Sequence, residues 1–380
     1  VTAARAARAT TFAPDAALTL LGLALLLVGL IAISSASVEY ADWHYQNAWY
    51  HSLRHLMYLL AALGLGVVVY RVPQQFWMES GWVWLFIALG LLILVLIPGI
   101  GREVNGSQRW LPLGPFTLQP SEFAKLAMVV YLASYMVRRE HEVRHEWQGF
   151  LKPMAVLFAA TLLLMIEPDF GATVIVAGSS FGMLFLAGVK LRHFLIVLGG
   201  ALGALLVLVA SAEYRVKRLT AYTDPWADPF DTGFQLTQSL IAFGRGEWLG
   251  VGLGNSVQKL FYLPEAHTDF VFSIWAEETG FVGALSVICL FAVLIGRVLW
   301  VGRNALLAEN PFGAYLCYGV ALVFSGQAFV NMGVSCGLLP TKGLTLPFVS
   351  YGGTSLIVCC AMLALVLRID RDTRSARRGK

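Results

Sequence analysis

Residues 213–270 read E-Y-R-V-K-R-L-T-A-Y-T-D-P-W-A-D-P-F-D-T-G-F-Q-L-T-Q-S-L-I-A-F-G-R-G-E-W-L-G-V-G-L-G-N-S-V-Q-K-L-F-Y-L-P-E-A-H-T-D-F. This is the one long polar segment in a chain of apolar runs. Loops of this length are functional or disordered. The many aromatic and aliphatic residues argue for order. The segment therefore reads as an ordered loop lying on a membrane, with the apolar runs on either side as its anchors.

Composition agrees. The 380 residues are 58% hydrophobic and only 13% charged, with a mean hydropathy of +0.69. A soluble domain is far more polar. The net charge of +4 is too small to suggest nucleic acid. Five cysteines lie in or beside apolar runs with no metal-type spacing, so they read as packing residues. No cleavable signal peptide is expected, because the first apolar run lacks a small-residue cleavage site.

Working outward, ten stretches approach the ~20 apolar residues that cross a bilayer. They are Ala16–Ala36, Leu53–Tyr70, Gly81–Pro98, Ser121–Val137, Leu151–Ile166, Ala172–Gly188, His193–Ser211, Val271–Trp300, Phe312–Cys336 and Leu346–Leu367. The expected fold class is an all-α polytopic membrane protein, a single membrane domain over 1–380 with one large outer loop at 212–270. Of the 27 Lys and Arg residues, 17 fall at one set of ends. The positive-inside rule makes that side cytoplasmic, with both termini inside and the long loop outside. The C-terminal tail is basic and is expected to lie on anionic lipid.

The polar residues left outside carry the chemistry. Trp43, Tyr45, Trp49 and Tyr50 in the first outer loop suit the headgroup level. His51 with His55, and His141 with His145, have ligand-like spacing, but neither has a nearby carboxylate set, and they read as interfacial residues. Glu122 and Lys125 share a helix face and can pair. They form either a surface ion pair or, with Arg102 and Arg109, the lining of a polar cavity. Glu167 and Asp169, in a tight Glu-Pro-Asp turn, are either solvated or cavity-lining. Two Asp-Pro turns follow at 224–225 and 228–229, then a short interfacial helix around Gln235–Phe243. The glycines at 244–254 form no nucleotide fingerprint. Their backbone can approach a ligand closely, with Arg245 available for an anionic oxygen.

Asp269 stands one residue before an apolar run. Partial desolvation there would raise its pKa toward that of a general base; the plainer reading is a helix cap. Glu277 follows two turns later on nearly the same face, with Glu278 beside it. Acids inside a span are functional candidates by default, so both are possible cavity acids. Lys342, in a Gly- and Pro-rich stretch before the last span, could meet an anionic headgroup.

Several stretches together carry a family resemblance. They are Asn105-Gly106-Ser107-Gln108-Arg109-Trp110, Gln119-Pro120-Ser121-Glu122 with Lys125, Glu167-Pro168-Asp169, Gln235–Ser239, Gly244-Arg245-Gly246, Gly252–Lys259, Pro264–Phe270, Pro340–Pro347 and Ser350–Gly353. Over nearly its whole length the chain resembles the SEDS family of peptidoglycan glycosyltransferases. The Thr-Lys-Gly-Leu-Thr-Leu-Pro form at 341–347 is similar to the cell-division branch of Gram-negative bacteria. Phe170, where the family often has Leu, is a small departure.

The resemblance implies a lipid II polymerase of the inner membrane at the division septum. It would join disaccharides into β-1,4 glycan and release undecaprenyl pyrophosphate. It implies Asp269 as the catalytic residue, and Arg109, Glu122, Lys125 and Lys342 around the polar cavity. No tightly bound cofactor is implied; a divalent cation, Mg2+ or Mn2+, could take part. The implied partners are a class B penicillin-binding transpeptidase, FtsI, and the FtsQ–FtsL–FtsB complex. A lipid II flippase and a non-catalytic division scaffold are the alternative functions.

Overall fold

The computed structural model describes residues 14–104, 107–114, 116–210, 222, 224–231, 233–340 and 343–379. Backbone polar groups in lipid must be satisfied within their own segment, so apolar stretches of this length fold as helices. The long ones are α1 (Ala16–Ala36), α3 (Tyr50–Arg71), α4 (Gln74–Val95), α5 (Pro120–Arg138), α7 (Trp147–Ile166), α8 (Phe170–Leu186), α9 (Leu191–Ala210), α11 (Val271–Leu307), α12 (Pro311–Ser335) and α13 (Gly353–Gly379). Three shorter ones are α2 (Val38–Tyr45), α6 (Glu140–His145) and α10 (Phe234–Gly246).

Each of the ten expected apolar stretches holds one long helix, though the bounds differ. Seven of the helices, α1, α3, α4, α7, α11, α12 and α13, are long and apolar enough to cross a membrane. Their outer faces stay apolar. On α1, Leu18, Leu25 and Ile33 are fully buried, while Leu20 and Leu27 are 65% and 58% exposed. A helix that is hydrophobic all round belongs in lipid. The protein is a multi-pass membrane protein.

Local signals set the helix ends. The Asp15 carboxylate caps α1 by accepting from the Leu18 amide at 2.8 Å, and Asn310 caps α12 by accepting from Gly313 at 3.0 Å. Pro120 and Pro311 occupy first turns, where no amide hydrogen is needed. Inside the bundle α3 packs on α13, α11 on α12 and α4 on α5, while α12 also meets α5 and α8.

The structure amends the sequence reading in two places and adds a third detail. The all-α expectation omits a three-stranded antiparallel sheet, β1 (Arg102–Val104), β2 (Ser107–Leu113) and β3 (Phe116–Leu118), with Arg102 opposite Trp110 and Leu111 opposite Leu118. β1 and β3 have three residues each, and the seven of β2 do not alternate between apolar and polar, so no strand period shows in sequence. The last helix begins at Gly353 rather than Leu346, because residues 346–351 form turns. The basic tail is helical. It continues α13, with Asp370 and Thr373 buried and Arg368 donating to the carbonyls of Tyr70 and Arg71.

The start of α1 and the end of α13 lie at one end of the bundle. Arg297 pairs with Asp15 at 2.6 Å, and Arg374 pairs with Asp370 while acting electrostatically on Asp15. The turns carrying Asp269, Glu167 and Tyr351 lie at the opposite ends of their helices.

Candidate active site

Asp269 sits in a tight turn just before α11. The Glu265 carbonyl accepts from the amides of Thr268, Asp269 and Phe270 at 3.2, 3.2 and 3.3 Å. The turn rests on a small apolar cluster in which Leu263, Ala266 and Phe270 meet Ala36 of α1, Ile274 of α11 and Val334 of α12. Asn331 of α12 fastens it from the side. Its amide donates to the Asp269 carbonyl at 2.8 Å and to the Leu344 carbonyl at 2.6 Å. One side chain thus holds the Asp269 turn against residues 343–346. A Cβ on Gly343 would fall 2.9 Å from Asp269 Oδ2, so only glycine lets the two approach this closely.

The Glu-Pro-Asp turn closes the site from another direction. Asp169 caps α8, accepting from the Ala172 amide at 3.1 Å, and its second oxygen accepts from Ser121 at 2.8 Å and Gln119 at 3.4 Å. Arg109, on β2, reaches over this turn. Its Nε donates to the Glu167 carbonyl at 3.1 Å and its Nη2 to the Pro168 carbonyl at 2.6 Å. The hairpin missing from the sequence reading therefore delivers the expected cation. Two of five N–H donors are committed there, so the rest can face an anion.

These groups feel one another. Burial pushes the Asp269 carboxyl up to about 7, with Glu265 and Asp169 adding to the rise and Arg109 opposing it. Burial pushes Glu167 up to about 8, with Asp169 raising it further and Arg109 opposing. Both Glu167 carboxylate oxygens are buried without a partner. Burial pushes His267, two residues from Asp269, down to about 4. A general base works best with a pKa near the operating pH, which favours Asp269 over its neighbouring histidine.

The other sequence candidates are arranged differently. Glu122 and Lys125 form a 2.7 Å ion pair, and Lys125 is only 1% exposed. The surface-pair alternative is excluded. The pair lies beneath Ser121, within electrostatic reach of Cys359 on α13, and is shut away from solvent. Arg102 is exposed on β1. Lys342 lies outside the described residues, as do Asn105 and Gly106.

Glu277 and Glu278 are buried and bonded inside the protein. Glu277 accepts from the Ser256 hydroxyl, from the amides of Val257 and Gln258 at 3.1 and 3.3 Å, and lies 3.6 Å from Arg245. Glu278 accepts from Ser35 at 2.6 Å and pairs with Lys259 at 3.1 Å. The two acids anchor the glycine-rich loop, so Arg245 and both glutamates serve that loop and not the Asp269 turn.

The anchor includes a break in α11. Gly280 has φ 67°, ψ −167°, which interrupts the helix. The loop fills the gap: Val251 and Gly252 donate to the carbonyls of Glu277 and Glu278, while Phe281 and Val282 donate to those of Glu247 and Trp248. These four backbone groups beside the break are thereby satisfied, as burial requires.

Sequence reasoning left Asn331 unnoticed. A polar residue inside an apolar span was the available signal. In sequence Glu167 and Asp169 fit solvent and cavity equally, since their partners lie 48 to 58 residues away. Among the described residues no group of three His, Cys, Asp or Glu side chains converges as a metal cage.

The family model FTSW_RODA_SPOVE, described as "Cell cycle protein", matches residues 16–375. A protein of Hahella chejuensis named "Probable peptidoglycan glycosyltransferase FtsW" is 56% identical over 353 residues, covering 93% of this chain and 89% of that protein. One of the same name from Pseudomonas fluorescens is 55% identical, covering 93% and 87%. Among solved structures, a chain of a peptidoglycan synthase complex that coordinates polymerization and crosslinking superposes with TM-score 0.76 at 31% identity, covering 95% of this chain and 99% of that one. The rod shape determining protein RodA of Thermus thermophilus gives 0.70 at 29% identity, covering 95% and 98%. With sequence matched almost end to end and the helix arrangement shared, the chain belongs to the FTSW_RODA_SPOVE family of cell cycle proteins.

Proposed function

We propose that the protein is a peptidoglycan glycosyltransferase that polymerises lipid II into β-1,4 glycan during cell division. The observation that carries this reading is the Asp269 carboxyl, raised to about 7 in a half-buried turn within electrostatic reach of Arg109. Near neutral pH such a group is divided between base and acid forms, which suits proton abstraction from a sugar hydroxyl. The acceptor hydroxyl gives its proton to Asp269 as its oxygen bonds to the anomeric carbon. The bond from that carbon to the pyrophosphate oxygen breaks, and the electron pair leaves with undecaprenyl pyrophosphate. Arg109, with uncommitted N–H donors, meets the developing negative charge. The described residues gather no metal cage, so a divalent cation has no assigned ligands and no step depends on one.

The same reading includes ten spans, α5, α8 and α9 joining the seven long apolar helices. The basic-residue count supports cytoplasmic termini and an outer face carrying the Asp269 turn. The partner is a class B penicillin-binding transpeptidase, FtsI. The synthase complex similar to this chain supports that kind of partner. FtsQ–FtsL–FtsB and a septal location follow from the division branch. The deciding experiment gives lipid II to the purified protein with its transpeptidase. Glycan strands that vanish with Asp269→Asn support the proposal. Leaflet exchange of lipid II without polymer, or glycan from the Asn variant within a few-fold of wild type, overturns it.

A further inference from the structure

Beside the Asp269 turn the protein builds a continuous aromatic surface. His51, at the start of α3, is its hub. Its ring centroid lies 5.0 Å from that of His267, 5.1 Å from Tyr351, 5.4 Å from Tyr45 and 5.7 Å from Tyr40. These rings come from the first outer loop, the Asp269 turn and the turn before α13. The Tyr351 amide ties two of those stretches together by donating to the His267 carbonyl at 3.0 Å. The hub is 6% exposed, and both of its ring nitrogens are buried without a partner. His267 is two residues from Asp269, no more than about 7 Å along the chain.

The surface then opens outward. Tyr40 stacks on His44 at 4.1 Å and lies 6.3 Å from Phe261, which in turn meets Trp43 edge-on at 6.3 Å. Trp43 is 73% exposed and Phe261 53%. The inner rings are closed and the outer rings are available.

Trp and Tyr at this depth also suit a headgroup belt. Charge argues against that use. Glu39 and Asp42 alternate with Tyr40 and Trp43 along α2, and Glu265 acts electrostatically on Tyr40. Among the described residues none of these three carboxylates is in an ion pair. Anionic lipid attracts basic clusters and repels an acidic rim. A saccharide suits both features. The C–H bonds on one face of a pyranose point positive charge at the negative face of an aromatic ring, and carboxylates accept from sugar hydroxyls.

We infer that the surface running from His267 through Tyr40 to Trp43 and Phe261 is a saccharide-binding platform, holding sugar units of the glycan beyond the pair that reacts. This deepens the proposed function and rests on it. The platform retains the strand between additions, so it governs strand length.

The test uses the protein in complex with its transpeptidase. Strand lengths made from lipid II are compared for wild type, Trp43→Ala, Trp43→Phe and Glu39→Gln. Binding of a soluble GlcNAc–MurNAc tetrasaccharide is measured separately, without turnover. Loss of one stacking ring is worth about a two- to tenfold change, so Trp43→Ala should weaken tetrasaccharide binding by that factor and shorten the strands. Trp43→Phe, which keeps a ring, should recover much of both. Trp43 is exposed, so folding is not at stake. Equal binding and equal strand lengths in the Ala variant overturn the inference. So does Trp43 fluorescence that is quenched by brominated phosphatidylcholine vesicles and indifferent to the tetrasaccharide, which marks a headgroup belt. If wild type makes no glycan, the proposed function fails, and tetrasaccharide binding still decides the platform.

Discussion

Gly343 and Asp269 touch: a methyl group on Gly343 would stand 2.9 Å from the carboxylate oxygen. The contact joins the segment before α13 to the turn before α11. Gly343→Ala should therefore displace the carboxylate while leaving the fold intact, because the group that must yield is the end of a side chain. A misplacement near 1 Å costs about 10²-fold in rate. Polymerisation should drop by about that factor with little change in melting temperature. A wild-type rate would show that the carboxylate has room to move without penalty.

Asp269→Asn keeps the shape and removes the proposed base. General-base catalysis is worth about 10²–10⁴-fold, and at least the lower figure should be lost. The wild-type rate should rise with pH through about 7 as the carboxyl deprotonates, and the Asn variant should lose that rise. Stability runs the other way. The folded pKa of Glu167 is raised from 4.5 to about 8, so the folded state binds more protons than the unfolded chain between those values. Stability should fall as pH climbs through that window. Glu167→Gln should flatten the fall in thermal melts taken from pH 4 to 8; an unchanged slope would assign it to other groups.

The Glu122–Lys125 pair is enclosed, which alters what its removal does. Lys125→Ala leaves a buried carboxylate alone, at a cost of about 3–5 kcal/mol. Folded protein should decline sharply. The double variant Glu122→Gln/Lys125→Met should recover most of the melting temperature, because no charge is left stranded. Single and double variants that melt alike would mean the two charges are not coupled.

Gly280 should tolerate no side chain. Its φ of 67° is unfavourable for other residues, and a Cβ would strike the Gly250 backbone nitrogen at 2.4 Å. Gly280→Ala should cost at least about 1–3 kcal/mol and free the loop from α11. Protease accessibility at residues 247–252 reads the second effect. Protection equal to wild type would show that the break accommodates a methyl group.

Helices were legible in the sequence because lipid makes their hydrogen bonding local. Each of ten apolar stretches holds one long helix, and α1 runs from Ala16 to Ala36 as the hydropathy has it. Asp269 stood out through its place at the edge of an apolar run and through the motif around it. Glu277 and Glu278 did not separate from it, because helical spacing reports which face a residue shares and nothing of what covers that face. Ser35, Ser256 and Lys259 cover it, and they come from elsewhere in the chain.

The sequence alone determined the membrane class and the helix order, both properties of a residue and its near neighbours, and it offered Asp269 as a candidate base. Tertiary structure decided which charges work together. Arg109 reaches the Glu167 turn across 58 residues on a hairpin with no period to betray it, and Asn331 joins Asp269 to Leu344 from inside a helix. Such contacts depend on how helices stack in three dimensions. Burial then sets the pKa of Asp269 and shuts Lys125 away, and burial is a property of the packed fold that no stretch of chain carries by itself.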